Sequence, residues 1–169
     1  MALVTQESAE QVDRPDENWK YPYAASALDF GSNLQLSVSK VSDSAVGYRI
    51  APALQINNSS KAPLGFLDEF CQNHGVTPKL RETRSSYRLE INRRDDLQHL
   101  RLVYPYVIGR RESAEIIAEK IIPDLKEGQA SSKQGFVDLM FYVDKVRENT
   151  QQRREPKYDQ QYFKDEWDM

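Results

Sequence analysis

A chain of 169 residues, 39% hydrophobic and 29% charged, fits one water-soluble domain large enough to bury a core. It has no run of eighteen apolar residues, a single cysteine (Cys71) and two histidines, which excludes a spanning helix, an internal disulfide framework and most structural zinc sites. The net charge of −3 argues against a polyanion partner on average, and the acidic start MALVTQESAEQVDRPDENW lacks the apolar centre of a secretory signal, so a cytoplasmic, intracellular home is expected.

Residues 1–17 read as a disordered acidic arm, polar and without period. Trp19, Tyr21 and Tyr23 open an ordered domain over 18–149, and Pro22 suits the first turn of a helix that runs to about Gly31. That helix is rich in small residues: Ala24, Ala25, Ser26 and Ala27, followed by Leu28. The period then changes to two. Leu34, Leu36 and Val38 alternate with Gln35, Ser37 and Ser39, and after a turn at 41–46 Tyr48, Ile50, Leu54 and Ile56 alternate with Arg49, Ala51, Ala53, Gln55 and Asn57. This predicts a long hairpin with one dry and one wet face. Ser59 or Ser60 caps a following helix with Pro63 in its first turn, apolar stripe Leu64, Leu67, Phe70 and Cys71, and Gly75 as its stop.

A second hairpin follows. Lys79, Arg81 and Thr83 face out on its first strand, and Arg88, Glu90 and Asn92 on its second, with Tyr87, Leu89 and Ile91 facing in. Asn92 is placed to cap a helix whose core stripe is Leu97, Leu100, Val103 and Tyr104, stopped by Pro105. A helix over 110–122 carries Ile116, Ile117, Lys120 and Ile121 in register, and a last core helix over 133–149 carries Phe136, Leu139, Met140, Val143 and Val146. Residues 150–169 form a charged tail punctuated by Tyr158, Tyr162, Phe163 and Trp167. The spacing of four in 158/162 and 163/167 stacks these rings if the tail turns helically, which fits a docking segment for this chain or another protein; a frayed end is the other reading. The order α-β-β-α-β-β-α-α-α predicts an α+β fold with one four-stranded antiparallel sheet, helices on its dry face and a polar face left open.

Charge is segregated along this order. Residues 79–111 carry nine bases against four acids, whereas residues 1–20 and 155–169 each carry five acids against two bases. A solvated surface laced with ion pairs explains such a run, and so does a polyanion site. The wet face carries Gln35, Ser37, Ser39, Arg49, Gln55, Asn57, Lys79, Arg81, Thr83, Arg88, Glu90 and Asn92. Arginine and amide side chains read base edges, while lysine and hydroxyl side chains suit phosphates. Ordinary enzyme constellations are missing. There is no glycine-rich phosphate loop, Cys71 and His74 lie three apart on a helix but Cys71 belongs to its apolar stripe, and His99 reads as an exposed polar residue.

The segment from about 19 to 149 resembles a single-motif, homodimeric LAGLIDADG homing endonuclease. PLGFLDEFCQNHGVTPKL is similar to that family's helix before the third strand. SYRLEINRRDDLQHLRLVYPYVIGRRESAEIIAEKIIPDL is similar to its fourth strand, next helix, Pro-aromatic break and following helix, and GFVDLMFYVDKVRENT to its last core helix. YAASALDFGSNLQLSVSK stands in the place of the signature helix and first strand, but in degenerate form. A gapless reading puts Asp29 at the motif's first acid, Gly31 at the second, metal-binding acid and Ser32 at the final glycine. A one-residue slip puts Phe30 at the metal-binding position instead.

The resemblance implies an αββαββα core with extra C-terminal helices, a saddle-shaped sheet that grips double-stranded DNA, and Mg²⁺ as cofactor if the protein cuts. It assigns Asp29, Gln55 and Arg110 to the cleavage centre, with Asp29 the one candidate metal ligand and Arg111 beside Arg110 on DNA. It also implies a homodimer through the first helix (Ala24, Ala25, Ser26, Ala27, Leu28) that reads a palindromic or pseudo-palindromic duplex. The leading expectation is a sequence-selective DNA-binding protein, nucleoid-associated, whose cleavage is lost with the missing acid. The alternatives are an active endonuclease using Asp29, a transcription regulator or RNA-splicing protein on the same fold, and a protein interaction module without nucleic acid. The acidic ends, in the leading expectation, mask the basic face against random DNA.

Overall fold

A computed structural model describes residues 17–150 and 156–169. The acidic arm expected before residue 17 lies outside the described residues. A helical turn at Glu17–Trp19 leads into α1 (Lys20–Ser26), which continues through a π-turn at Ala27–Gly31 and runs straight into β1 (Ser32–Lys40). β1 pairs antiparallel with β2 (Tyr48–Asn58) across a turn where Gly47 takes φ +77°. α2 (Lys61–Asn73) ends at Gly75 (φ +76°), a left-handed position that favours glycine. β3 (Lys79–Glu82) and β4 (Tyr87–Ile91) form the second hairpin, and the sheet order is β1-β2-β4-β3.

α3 (Arg94–Gln98) then loosens into 3₁₀ turns up to Tyr106. Its N-cap is Arg93 rather than Asn92, because β4 ends at Ile91 and leaves Asn92 in the connection. α4 (Arg111–Ile116) passes through a π-turn at Ile117–Ile121 into α5 (Ile122–Lys126). The extra residue of the π-turn shifts the register, so Ile116, Ile117, Ile121 and Ile122 are buried while Lys120, expected with them, is exposed. α6 (Lys133–Asn149) is the longest helix. Ser132 caps it by accepting from the Gly135 N–H, and a Cβ at Gly135 would overlap the Gln129 carbonyl, so only glycine allows this close crossing.

One apolar core lies between the helices and the dry face of the sheet. Leu34, Leu36, Ile50, Leu54, Ile56, Leu89 and Ile91 supply the sheet side; Leu64, Leu97, Ile117, Phe136, Leu139 and Met140 supply the helix side. The C-terminal segment joins this core. α7 (Gln160–Glu166) is capped by Asp159, which accepts from the Tyr162 N–H, and it buries Phe163 completely. Phe163 lies 4.8 Å from the Tyr48 ring centroid, 4.9 Å from Phe136 and 5.1 Å from Trp167, and Tyr158 stacks edge-on to Tyr162 at 5.0 Å.

Arg147 of α6 locks the segment. It donates to the Tyr158 carbonyl (2.6 Å), to Asp144 (3.0 Å) and to the Leu36 carbonyl of β1 (3.3 Å), while Asp144 accepts from the Gln160 N–H at 2.7 Å. Burial raises the Asp144 carboxyl above its usual range, and these donors work against that shift. Tyr48 and Phe136 face the helix side, so residues 156–169 lie behind the sheet. The expected masking of the wet face by the C-terminal acids is thereby corrected for the described residues: the aromatic pattern, more than the charge, decides where this segment goes.

Candidate nucleic-acid interface

Strand alternation leaves the second face of the sheet open. Asn33, Ser37, Ser39, Arg49, Asn57, Lys79 and Arg81 are exposed, and Gln35, Gln55, Thr83, Arg88 and Glu90 are half-exposed. Pairing sets these residues in rows across the strands. Asn33, Gln55, Glu90 and Lys79 form one row, and Asn57, Arg88 and Arg81 the next. Arg81 and Arg88 are direct cross-strand partners, and like charges in that position repel. Arg88 is steadied by donating to Asn57 Oδ1 at 2.9 Å, while Lys79, Arg81 and Arg84 make no ion pair among the described residues.

The rest of the basic stretch is spent elsewhere. Arg94 donates to the Leu125 carbonyl, Arg101 pairs with Glu119 at 3.3 Å, and Arg111 pairs with Glu115 at 2.7 Å one helical turn on. Within the face, some groups are already used. Arg49 pairs with Asp43 in the β1–β2 turn (2.7 Å), Ser37 donates to the Ala51 carbonyl, Thr83 donates to the Ser86 carbonyl to close the second hairpin, and Asn92 reaches back to Glu90. Gln35, Ser39, Gln55, Lys79 and Arg81 have side chains free of such bonds among the described residues.

Where α1 meets β1, Asp29 and Arg110 come together, though as a clasp. The Asp29 carboxylate accepts from three successive backbone N–H groups: Ile108 (2.9 Å), Gly109 (3.0 Å) and Arg110 (3.0 Å). The Arg110 guanidinium donates to the Ser32 carbonyl at 2.5 Å, and the Ser32 hydroxyl donates to the Leu28 carbonyl at 2.6 Å. Each of these groups therefore ties the first helix to the 107–110 connection and to β1.

A divalent metal does not fit this donor set. Both Asp29 oxygens face N–H donors, Gly31 offers no side chain, and the Ser32 hydroxyl is directed back into the helix. Asp29, expected as metal ligand, and Arg110, expected at a cleavage centre, are both engaged in this clasp, and Gln55 lies on the sheet face. Asp29→Ala is expected to lower stability by about 2 kcal/mol, because three charge-assisted bonds leave their donors facing only water. Chemical denaturation checks it, and an unchanged midpoint would refute the clasp.

The exposed face of the first helix differs from the expected one. Ala24, Ala25 and Leu28 are buried in the protomer's own core at 8%, 0% and 2% exposure, which withdraws them from any contact between copies. The outward stripe is Tyr23, Ser26, Ala27 and Phe30, and Phe30 stands 91% exposed. Ile108 (89% exposed), beside the Asp29 clasp, adds a second bare apolar side chain. The seven-residue spacing of Tyr23 and Phe30 is a signal in the sequence that the expected contact through Ala24, Ala25 and Leu28 passed over. Ile108 gave no such signal, because it lies in a connection without period.

The cysteine–histidine pair has no catalytic geometry. Burial pushes the Cys71 thiol up to about 12, which keeps it protonated near neutral pH. His74 is engaged at both ring nitrogens, with the Phe70 carbonyl at 2.8 Å and the Tyr21 hydroxyl at 3.1 Å.

No protein-family model and no curated protein matches the sequence. Solved structures do match. The homing endonuclease I-CvuI, crystallised on the I-CreI target with Mg and the DNA not cleaved, superposes over 88% of this chain and 92% of its own at TM-score 0.75 and 15% identity. The archaeal intron-encoded homing endonuclease I-Vdi141I, complexed with DNA, covers 90% of this chain and 99% of its own at TM-score 0.76 and 17% identity. The I-SmaMI LAGLIDADG homing endonuclease, bound to cleaved DNA, covers 82% of this chain with only 50% of its own length, at TM-score 0.61 and 14% identity. With this element order, this four-stranded antiparallel sheet and these superpositions, the chain has the LAGLIDADG homing-endonuclease fold.

Proposed function

We propose that this protein binds double-stranded DNA as a homodimer through the open face of its sheet, and that it binds without cutting. The observation that carries the DNA assignment is the Arg81–Arg88 juxtaposition. Two arginines without an ion pair among the described residues are direct cross-strand partners on an uncovered sheet, and like charges so placed are relieved by a row of phosphates. The amides Gln35 and Gln55 on the same face present the donor and acceptor pairs that base edges require. That I-CvuI and I-Vdi141I were crystallised with DNA on this fold supports the same reading.

The homodimer rests on the outward stripe Tyr23–Ser26–Ala27–Phe30 with Ile108, since small residues at its centre allow close helix approach and bare aromatic and aliphatic groups flank them. A two-fold dimer would present two copies of the basic face to two half-sites. The Asp29 clasp supports loss of cutting, since it engages the carboxylate at the end of the first helix and no cluster of metal-ligating side chains exists among the described residues.

The test is binding to random-sequence duplex at rising salt. Affinity should fall steeply with salt, and Arg81→Ala together with Arg88→Ala should weaken binding about tenfold or more and flatten the slope. Equal affinity of wild type and double variant at every salt concentration would refute the assignment. Incubating supercoiled plasmid with Mg²⁺ or Mn²⁺ should leave it uncut.

A further inference from the structure

Among the described residues the open sheet face carries one carboxylate, and it sits in a place that a pure phosphate-binding surface would avoid. Glu90 lies in the row Asn33–Gln55–Glu90–Lys79, flanked along β4 by Arg88. Lys79 is its direct cross-strand partner, yet the two make no ion pair, and no ion pair to Glu90 exists among the described residues. Among the described residues its one hydrogen bond is a long one at 3.4 Å from the Asn92 amide, so its oxygens remain largely available to a ligand. Glu90 is half-exposed and stands in the middle of the face.

A carboxylate here would repel phosphate oxygens, so a duplex lying on this face must bring something else to it. An ionised carboxylate only accepts hydrogen bonds. In the major groove the donors are the amino groups of cytosine (N4) and adenine (N6). At adenine the N7 acceptor lies next to N6 and would face the second carboxylate oxygen unpaired. At cytosine the neighbouring base edge is a C–H, which carries no such penalty.

We propose that Glu90 is a specificity-determining residue that selects cytosine at one position of each half-site. This rests on the DNA-binding reading above and adds a base identity to it. A glutamine at the same place has one donor and one acceptor, the complement of adenine N7 and N6. Glu90→Gln therefore changes the chemistry from acceptor-only to donor-plus-acceptor at nearly constant shape.

The experiment is selection of binding sites from a random duplex library with the wild-type full chain and with Glu90→Gln, followed by competition binding on the selected duplexes. Wild type should enrich cytosine at one position, repeated in both half-sites, with about a tenfold preference over adenine. Glu90→Gln should move that position, and no other, to adenine. Enrichment of the same motif by both proteins overturns the role of Glu90 while leaving DNA binding intact. No enriched motif with either protein, and no salt-sensitive binding to the unselected library, overturns the DNA reading and this inference with it. A wild-type preference for guanine or thymine at the position that responds to Glu90→Gln also overturns it.

Discussion

Phe163→Ala is expected to destabilise the protein by about 3–4 kcal/mol, a loss that lowers the melting temperature by roughly 10 °C. Phe163 is completely buried, and its ring fits between Tyr48, Phe136 and Trp167. Alanine would leave a cavity that these rigid rings close only in part, so the cost exceeds the transfer term alone. Removing residues 156–169 should cost at least as much, because it also strips the Tyr158 carbonyl and the Gln160 N–H from Arg147 and Asp144. Urea or thermal unfolding measures both. Binding to DNA, assayed well below the melting temperature, should change little in Phe163→Ala, since the ring lies behind the sheet. Wild-type stability in both variants would mean that the segment does not belong to the core.

Phe30→Glu is expected to convert the proposed dimer into a monomer and to reduce affinity for a two-half-site duplex by about a hundredfold or more. Phe30 is 91% exposed in the protomer, so the substitution removes nothing from the core and the fold should survive it. On a two-fold axis the same residue meets its own copy or close neighbours, and two carboxylates there would repel in a desolvated contact. Without the dimer, each half-site is held by one protomer, and the gain from linking two binding events disappears. Sedimentation velocity reads the oligomer, and binding to one and two half-sites reads the coupling. The variant should retain wild-type affinity for a single half-site. A variant that sediments as the wild-type dimer would show that the stripe around Phe30 is not the contact.

The clasp at Asp29 shows how one residue can carry a different meaning in sequence and in space. The carboxylate stands near the end of the signature-like helix, which invites a metal. Whether it holds one depends on residues 79 to 81 positions away, whose N–H groups point at it only in the folded chain. No local pattern reports that arrangement. The basic stretch 79–111 behaves in the same way. Its charge is plain in the sequence, but Arg94, Arg101 and Arg111 are used within the helical layer, and only Lys79, Arg81, Arg84 and Arg88 remain with the second hairpin.

Strand alternation in β1, β2 and β4 was fully legible, because burial of one sheet face imposes a period of two on consecutive residues. α6 was legible to the residue, as the helix runs more than four turns, its apolar stripe covers about three of them, and its cap stands directly before it. The sequence by itself thus determined the element order, the sheet's two faces and the aromatic character of the C-terminal segment, all of which depend on near neighbours. Tertiary structure alone decided which alanines face inward, that Phe30 and Ile108 stand bare, that α7 closes the core behind the sheet, and that Asp29 is occupied. Each of these is set by contacts between segments tens of residues apart, where the spacing of side chains along the chain carries no information.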